Sequence, residues 1–263
     1  MNNMIDSDKL QHLYRTYNHK RFAYSDPVEF LYRYDHSADR EIVGLVASSL
    51  AYGRVAQIRK SISRVLKVMG KNPRRYVEKT GLKSIEADFA GFVHRFASDT
   101  HICALIAGIQ RSVMTYGSLQ ACFLAGFRME HATVWDGLQA FSAKFKASCA
   151  DMNPGHLIPV PGKKSACKRL NLYLRWMVRK DAVDPGGWDA VPLSRLVIPL
   201  DTHMHRFGLG AGMTSRRQAG VRTALEVTEG FRKIVPQDPV RYDFVLTRTA
   251  IAGQMNPADF VSV

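Results

Sequence analysis

Apolar residues recur at three- and four-residue steps along most of the chain, which is the spacing of one face of an α-helix. The clearest stretch predicts an amphipathic helix that begins near Val55 and ends at Gly70. Strand-like alternation is scarce apart from Leu196–Leu200, so the pattern predicts an all-α fold. The same spacing predicts further helices near residues 84–97, 100–115, 118–128 and 132–148, from Ser165 to about Lys180, from Asp201, from Thr214 to about Ile234, and from Pro239 to about Gly253.

An additional helix start is predicted at Ser25-Asp26-Pro27, where an oxygen-bearing cap precedes a proline in the first turn. The stretches Met152–Gly162 and Asp184–Trp188 are rich in proline and glycine and predict structured loops. The 263 residues suit one helical domain over 1–263, or two lobes sharing a core. Two lobes would cover about 30–150 on one side and, on the other, the N-terminal arm plus about 155–263.

The charge balance narrows the class of partner. Lysine and arginine total 37 against 23 aspartate and glutamate residues, a formal charge of +14. A soluble protein this basic usually meets a polyanion, and nucleic acid is the first candidate. An acidic membrane surface is the second candidate, and a generally basic protein without such a partner is the third.

The cysteines and the N-terminal segment indicate in which cellular compartment the protein is expected. No two cysteines lie within ten residues of each other, so the sequence predicts neither a zinc ribbon nor a cysteine-ligated iron–sulfur cluster. The N-terminal segment lacks the apolar centre of a signal peptide, and no apolar run has the length of a membrane span. We therefore expect a cytoplasmic, nucleoid-associated protein that is a monomer. The four cysteines are Cys103, Cys122, Cys149 and Cys167.

The segment Pro161–Lys180 carries seven basic residues and no acidic one. Gly162, Lys163 and Ser165 precede a predicted helix, and a phosphate suits the free N–H groups of a first turn. Arg169 and Arg175 alternate with aromatic residues, as on nucleic-acid surfaces. The alternative is an ordinary amphipathic helix with its charges in water. On the nucleic-acid hypothesis, the aromatic residues that could stack on a base are Tyr173 and Trp176.

Two other basic segments support a polyanion partner. The predicted helix after Gly53 has a face with Arg54, Arg59, Lys60, Arg64 and Lys67, and no acidic residue lies between Arg54 and Lys71. Arg216 and Arg217, with Arg222, open the predicted helix that follows Thr214 and Ser215. A solvated surface or simple solubility is the alternative explanation for each.

Asp201 is the strongest candidate for a functional carboxylate. The apolar run Ile198-Pro-Leu delivers it to the start of a predicted helix, and aspartate is among the best N-caps. Capping N–H groups also keep a carboxylate ionised and fixed in direction, so a cap can also be catalytic. His203 and His205 lie two apart, and residues two apart diverge on a helix. We therefore predict no metal and no cofactor.

These residues resemble a known superfamily. The segment Leu196–Arg206, LVIPLDTHMHR, resembles the V-D-T-H-V-x-R motif of the helix-hairpin-helix DNA glycosylases, which include endonuclease III and the 8-oxoguanine glycosylases. Ile158–Ala166 is similar to their hairpin, L-P-G-V-G-x-K-T-A, and Phe30–Arg54 resembles the first helices of their core. The runs from Ser165 to Lys180 and from Pro199 to His203 also resemble an uncharacterised bacterial family placed near these glycosylases.

The resemblance implies roles for two residues. Asp201 matches the shared catalytic aspartate. Lys164 aligns with the lysine nucleophile but lies 37 residues before Asp201, about twice the endonuclease III separation, whereas Lys168 lies 33 residues before it and fits the archaeal 8-oxoguanine branch better. Lys168 is therefore the first candidate nucleophile and Lys164 the second. Val160 replaces the first hairpin glycine, and Pro161, which has no N–H to donate to a phosphate, follows it.

The resemblance implies a base-excision repair enzyme that flips a damaged nucleotide, such as 8-oxoguanine, out of DNA and cleaves its N-glycosidic bond. A lysine nucleophile would add strand cleavage through a Schiff base. Three alternatives remain: a non-catalytic nucleic-acid-binding protein on the same scaffold, a metal-dependent hydrolase using His203 and His205, and a protein whose basic face binds another polyanion. On the glycosylase hypothesis, the residues predicted to contact DNA are Gly162, Lys163, Ser165, Arg169, Arg175, Arg206 and Arg54.

Overall fold

Helices dominate the computed structural model, which describes residues 4–149, 152–162, 165–253 and 260–262. This confirms the all-α prediction. None of the helices in the described ranges is long and apolar enough to cross a membrane. The helices of the first part are α1 (Ser7–Tyr17), α2 (Lys20–Ala23), a 3₁₀ helix (Pro27–Arg33), α3 (Ser37–Ser49), α4 (Val55–Met69), α5 (Pro73–Lys79), α6 (Leu82–Asp88), α7 (Asp99–Tyr116), α8 (Leu119–Leu124) and α9 (Trp135–Ser148).

The second part of the chain contributes shorter helices joined by longer loops, together with one strand that pairs with the N-terminus. Strands β1 (Met4–Ile5) and β4 (Val261–Ser262) are antiparallel, with Ile5 opposite Val261. Strands β2 (Val93–His94) and β3 (Ala97–Ser98) form a hairpin between α6 and α7. The remaining helices are α10 (Lys168–Val178), α11 (Thr202–Gly210), α12 (Val221–Ile234) and α13 (Asp243–Ile251), with 3₁₀ turns at Gly155–Leu157 and Leu193–Arg195.

Helix α4 has the predicted bounds, ending before Gly70, and buries Ile58, Ile62 and Met69. The predicted start at Ser25-Asp26-Pro27 is a 3₁₀ helix, in which the Asp26 side chain accepts a hydrogen bond from the Val28 N–H at 3.0 Å.

The predicted helix near 84–97 is wrong beyond Asp88. Gly91 adopts φ +66°, which interrupts a helix, and its N–H donates to Asp99 Oδ2 at 3.0 Å. Residues 93–98 then form the β2–β3 hairpin. The apolar spacing that predicted a helix here comes instead from Phe89 and Phe92, which are buried in the core.

Helix α10 lies at the centre of the core. Its buried residues extend around most of its circumference and include Tyr173, Trp176 and Met177. It packs against α3, where Gly44 lies so close to Tyr173 that an added Cβ would be 3.1 Å from Cε2. The segment that contains α10 carries seven basic residues, so the sequence predicts that one face of the helix is exposed. Because α10 is buried instead, its charged side chains need partners inside the protein.

Those partners form a buried ion-pair network around Arg175 and Arg179. Both guanidinium groups contact Asp184, which is fully buried, at 3.2 Å and 2.5 Å. Buried charges are tolerated when they are paired and hydrogen-bonded, as here. The network ties α10 to the 181–184 loop, to the segment before α13 and to α13 itself. The other carboxylates in contact with the two arginines are Asp181, Asp238 and Asp243.

Candidate active site

A cleft of about 600 Å³ opens beside the first turn of α10. The N-terminus of α11, the loop between α3 and α4, Asp26 and α13 form the rest of its lining. We call this the central cleft and define it by Asp26, Tyr52, Lys168, Asp201 and Asp243. It is the place where segments from both parts of the chain meet around charged side chains.

The central cleft brings the two predicted catalytic residues into contact. Lys168 Nζ lies 3.3 Å from Asp201 Oδ2. The other carboxylate oxygen, Oδ1, accepts a hydrogen bond from the Met204 N–H at 2.8 Å, so Asp201 is the N-cap of α11 as predicted. The Asp201 side chain is 13% exposed and that of Lys168 is 39% exposed. The pair is thus fixed on the carboxylate side and open to a ligand on the amine side.

The approach to Asp201 is a buried, extended segment without strand pairing. Val197 and Ile198 are in the core, and the Ile198 N–H donates to Thr228 Oγ1 of α12 at 3.0 Å. The alternation noted at Leu196–Leu200 therefore does not form a strand. Burial of this segment holds Asp201 at the cleft, because both its apolar side chains and its backbone are anchored.

Cys167 forms the turn that leads into α10. It has the left-handed φ of +47°, unusual for a residue other than glycine, and α10 begins directly after it. The Ser165 hydroxyl accepts a hydrogen bond from the Cys167 N–H at 3.1 Å, and α10 starts three residues later than predicted. Ser165 therefore shapes the turn before the helix and does not cap it.

Arg169 is directed into the protein. Its Nη1 donates to the Ser49 carbonyl at 2.6 Å, its Nη2 donates to the His156 carbonyl, and its guanidinium lies 5.0 Å from the Tyr52 ring centroid. Tyr52 in turn donates to the His94 carbonyl at 3.0 Å and contacts His156 Nε2 at 2.8 Å. This cluster fixes the wall of the central cleft opposite α11.

Asp243 adds a further carboxylate to the central cleft, beside those of Asp26 and Asp201. It is buried and paired with Arg175. Burial raises the pKa of Asp243 to about 6; the Arg175 charge opposes that rise, and the negative charge of Asp201 adds to it. The cleft therefore combines one carboxylate in contact with an amine and one whose charge depends on pH near neutrality.

Three predicted DNA or base contacts are corrected by burial. Tyr173 and Trp176 are fully buried in the core, so they are not free to stack on a base that enters the cleft. Arg175 is 3% exposed and is held by Asp184 and Asp243, so its charge is already paired inside the protein. The sequence pattern missed this because Asp243 is 68 residues away and Asp184 lies beyond the end of the helix, in a loop.

Of the other predicted DNA contacts among the described residues, four lie at the surface, whereas Arg169 is directed into the protein. Arg54 and Arg206 are exposed, and Gly162 and Ser165 lie in an exposed turn. On α4, Arg59 pairs with Glu29 at 2.6 Å and Arg64 donates to the Gly91 carbonyl at 3.1 Å, which leaves Lys60 and Lys67 as exposed charges. Lys163 and Lys164 lie outside the described residues.

His203 and His205 diverge. His203 lines the central cleft, whereas His205 Nε2 bonds the Arg216 carbonyl at 2.7 Å. Among the described residues, no group of three or more histidine, cysteine and acidic side chains is arranged to hold a metal ion. The two imidazoles thus have separate surroundings.

Sequence patterns missed Tyr52 and Asp243, which line the central cleft, and His156, which contacts Tyr52. Tyr52 and His156 are 104 residues apart, and only the fold joins them. Asp243 follows Tyr242 in a segment predicted only as a helix, and its proximity to the Lys168–Asp201 pair depends on the packing of α13 against α11. No local signal distinguishes Asp243 from the other acidic residues of the sequence.

Residues 26–252 match the model of a protein family described as "Protein of unknown function (DUF2400)". Comparison with curated proteins and with solved structures gave no match. The matched range includes all five residues that define the central cleft. Since it also covers most of the chain, this protein belongs to the DUF2400 family.

Proposed function

We propose that this protein is a DNA glycosylase that removes a damaged base, such as 8-oxoguanine, and then cleaves the strand by a lyase step. The observation that carries the proposal is the contact between Lys168 Nζ and Asp201 Oδ2, at 3.3 Å, in a cleft of about 600 Å³. Lys168 and Asp201 are 33 positions apart and were singled out from the sequence as nucleophile and carboxylate. Their side chains meet in a cleft that a ligand can enter.

The geometry suits the chemistry of such a reaction. The Lys168 ammonium first loses a proton to water, and the neutral amine then attacks C1′ of the flipped nucleotide. The N-glycosidic bond breaks, and its electron pair leaves with the nucleobase, which takes up a proton from water. Asp201 stabilises the positive charge that develops on the sugar and orients the amine. The nitrogen now bonded to C1′ gives a proton to water, the C1′–O4′ bond opens with protonation of O4′, and a protonated imine remains. Water then removes a 2′ proton, the 3′ phosphate leaves, and the strand is cleaved.

The overall charge supports DNA as the substrate. A net charge of +14 favours a polyanion, and exposed basic residues such as Arg54 and Arg206 lie outside the buried ion-pair network. Because a base inside a duplex is out of reach, the enzyme must flip the nucleotide into the cleft. The helix-hairpin-helix glycosylase fold, with two lobes flanking this cleft, is part of the proposal.

The test is borohydride trapping on duplexes and single strands that carry 8-oxoguanine, uracil, an alkylated base or an abasic site. The wild-type protein should give a covalent species, Lys168→Ala should abolish it, and Asp201→Asn should slow it by about 100-fold or more. Lys164→Ala is the matched control and should trap like the wild type. Trapping lost in Lys164→Ala but kept in Lys168→Ala would reassign the nucleophile, and no base release on any substrate would contradict the proposal.

A non-catalytic DNA-binding protein is the second candidate, and Pro161 favours it. A helix-hairpin-helix loop donates backbone N–H groups to a phosphate, and proline has none. That protein would bind DNA equally well with Asp201→Asn and release no base. A metal-dependent hydrolase is disfavoured by the separate surroundings of His203 and His205.

A further inference from the structure

A second concave surface lies next to the central cleft. It has a volume of about 630 Å³ and lies between the turn at Gly162 and residues 216–223. We call it the arginine groove and define it by Gly162, Arg216, Arg217, Gly220 and Arg222. None of the described residues that line it is acidic.

The three arginines of the arginine groove differ in their partners. Arg216 Nε pairs with Glu226 Oε1 at 2.7 Å, and Thr214 Oγ1 donates to the other Glu226 oxygen at 2.6 Å, so this side chain is held in place. Arg217 and Arg222 are exposed, and within the described ranges neither forms an ion pair with a carboxylate. The groove therefore presents two exposed guanidinium groups that form no ion pair among the described residues, beside a third that Glu226 holds in place.

The backbone joins the arginine groove to the central cleft. Ser165 lines the cleft and forms an antiparallel bridge with Gly220, which lines the groove. On α11, whose N-cap is Asp201, His205 Nε2 bonds the Arg216 carbonyl at 2.7 Å. These two bonds fix the position of the arginine groove relative to the central cleft. A ligand that occupies both must be extended, and it must be anionic at the end that lies among the arginines.

We propose that the arginine groove binds backbone phosphates of the DNA strand that continues from the nucleotide held in the central cleft. The assignment rests on the proposed function, in that it takes the cleft occupant to be a nucleotide. A guanidinium group matches a phosphate through two parallel N–H donors, so Arg217 and Arg222 suit two phosphates better than lysines would. Gly162 has φ +100°, a conformation that favours glycine, and an added Cβ would lie 3.1 Å from Gln139 Nε2, so this part of the groove is lined by backbone.

The test is the salt dependence of binding to a duplex that carries a stable abasic-site analogue. The Arg217→Gln/Arg222→Gln variant should bind at least about 10-fold more weakly, and the slope of log K against log salt, from about 50 to 200 mM, should fall by about 2. Arg217→Lys/Arg222→Lys keeps both charges and should restore the slope. The matched control is Lys79→Gln/Lys83→Gln, which removes two exposed charges from α5 and α6 and should leave the slope unchanged.

Trapping on a duplex of the same sequence, with a damaged base or a natural abasic site in place of the stable analogue and at saturating protein, separates the two proposals. If the salt-dependence slope of Arg217→Gln/Arg222→Gln is unchanged and trapping is intact, the assignment of the groove is overturned. The proposal that the protein is a glycosylase is then unaffected. A reduced slope without trapping on any lesion supports the groove and contradicts the glycosylase. A slope that falls equally in the Lys79→Gln/Lys83→Gln control overturns the groove, because the effect would then reflect net charge alone.

Discussion

Asp201 performs two tasks that can be measured separately. Its Oδ1 caps α11 through the Met204 N–H at 2.8 Å, and its Oδ2 contacts Lys168 at 3.3 Å. Asparagine caps a helix as well as aspartate does, but it carries no charge. Alanine has neither the capping oxygen nor the charge. The two substitutions therefore distinguish the structural contribution of the side chain from its chemical one.

We expect Asp201→Asn to unfold with nearly the wild-type free energy, and Asp201→Ala to lose about 1 kcal/mol, because only the second removes the cap. Both should lose trapping activity, because both remove the carboxylate. Chemical denaturation and borohydride trapping on the same preparations give the two quantities. Wild-type trapping by Asp201→Asn would show that the charge is not needed, and Asp201 would then be a cap alone.

At the scale of elements, the β2–β3 hairpin is the least expected feature. Phe96, at its tip, is 75% exposed, and its ring lies 6.5 Å from that of His156. Arg95 has a φ of +54° and packs against Gly53, which lines the central cleft. An exposed aromatic residue beside a nucleotide-sized cleft is suited to enter the space that a flipped nucleotide leaves in the duplex.

The hairpin gives a prediction that depends on base pairing. Phe96→Ser should slow base release from duplex DNA by about 10-fold, and it should leave release from single-stranded DNA almost unchanged, because only the duplex has a gap to fill. Val93→Ser removes another exposed apolar side chain from the same hairpin and serves as the control. Equal slowing on both substrates would show that Phe96 acts on the fold or on binding, and not on flipping.

Local sequence predicted most helices, but not how deeply they are buried. The bounds of α4 follow from its own spacing and Gly70. The depth of α10 does not, because Arg175 and Arg179 find carboxylates at Asp184, Asp238 and Asp243, up to 68 residues away. Without those partners a basic helix is expected to be half-exposed, which is why Trp176 is a sequence candidate for stacking on a base.

The candidate site was predictable to the same extent. Motif resemblance singled out Lys168 and Asp201 as candidates, and the structure adds that their side chains are in contact. Tyr52 and Asp243 belong to no such motif, and their position depends on the packing of the α3–α4 loop and of α13. A pairwise contact between residues distant in sequence has no signature in one sequence, so these two had to come from the structure.

For the whole molecule, the buried ion-pair network couples folding to pH through carboxylates with opposite pKa shifts. Burial alone would raise the pKa of Asp181, but Arg179 and the N–H groups of Asp184 and Val183 lower it to about 2. The stability that Asp181 contributes is present above its ordinary pKa and is lost only as pH falls toward 2. Asp243, whose pKa burial raises to about 6, behaves in the opposite sense.

The folded state favours the protonated form of Asp243, so its contribution is full below the ordinary pKa of 3.8 and is lost as pH rises through about 6. The charged groups that act on it are Arg175, Asp201 and Lys168. Asp243→Asn keeps a neutral side chain that can still accept a hydrogen bond from Arg175, and it cannot lose a proton. We therefore expect the unfolding free energy of this variant, relative to the wild type, to increase between about pH 4 and pH 7, by at most about 3 kcal/mol.

The measurement is urea denaturation of both proteins across that range, compared as a difference at each pH. Histidines titrate in the same window, and burial lowers the pKa of His94 and of His156, but these groups are present in both proteins and cancel in the difference. The pH dependence of the difference in unfolding free energy therefore comes from position 243 and from its effect on Asp201 and Arg175. A difference that does not change with pH would mean that Asp243 stays ionised throughout, and that Arg175 outweighs the burial of this carboxylate.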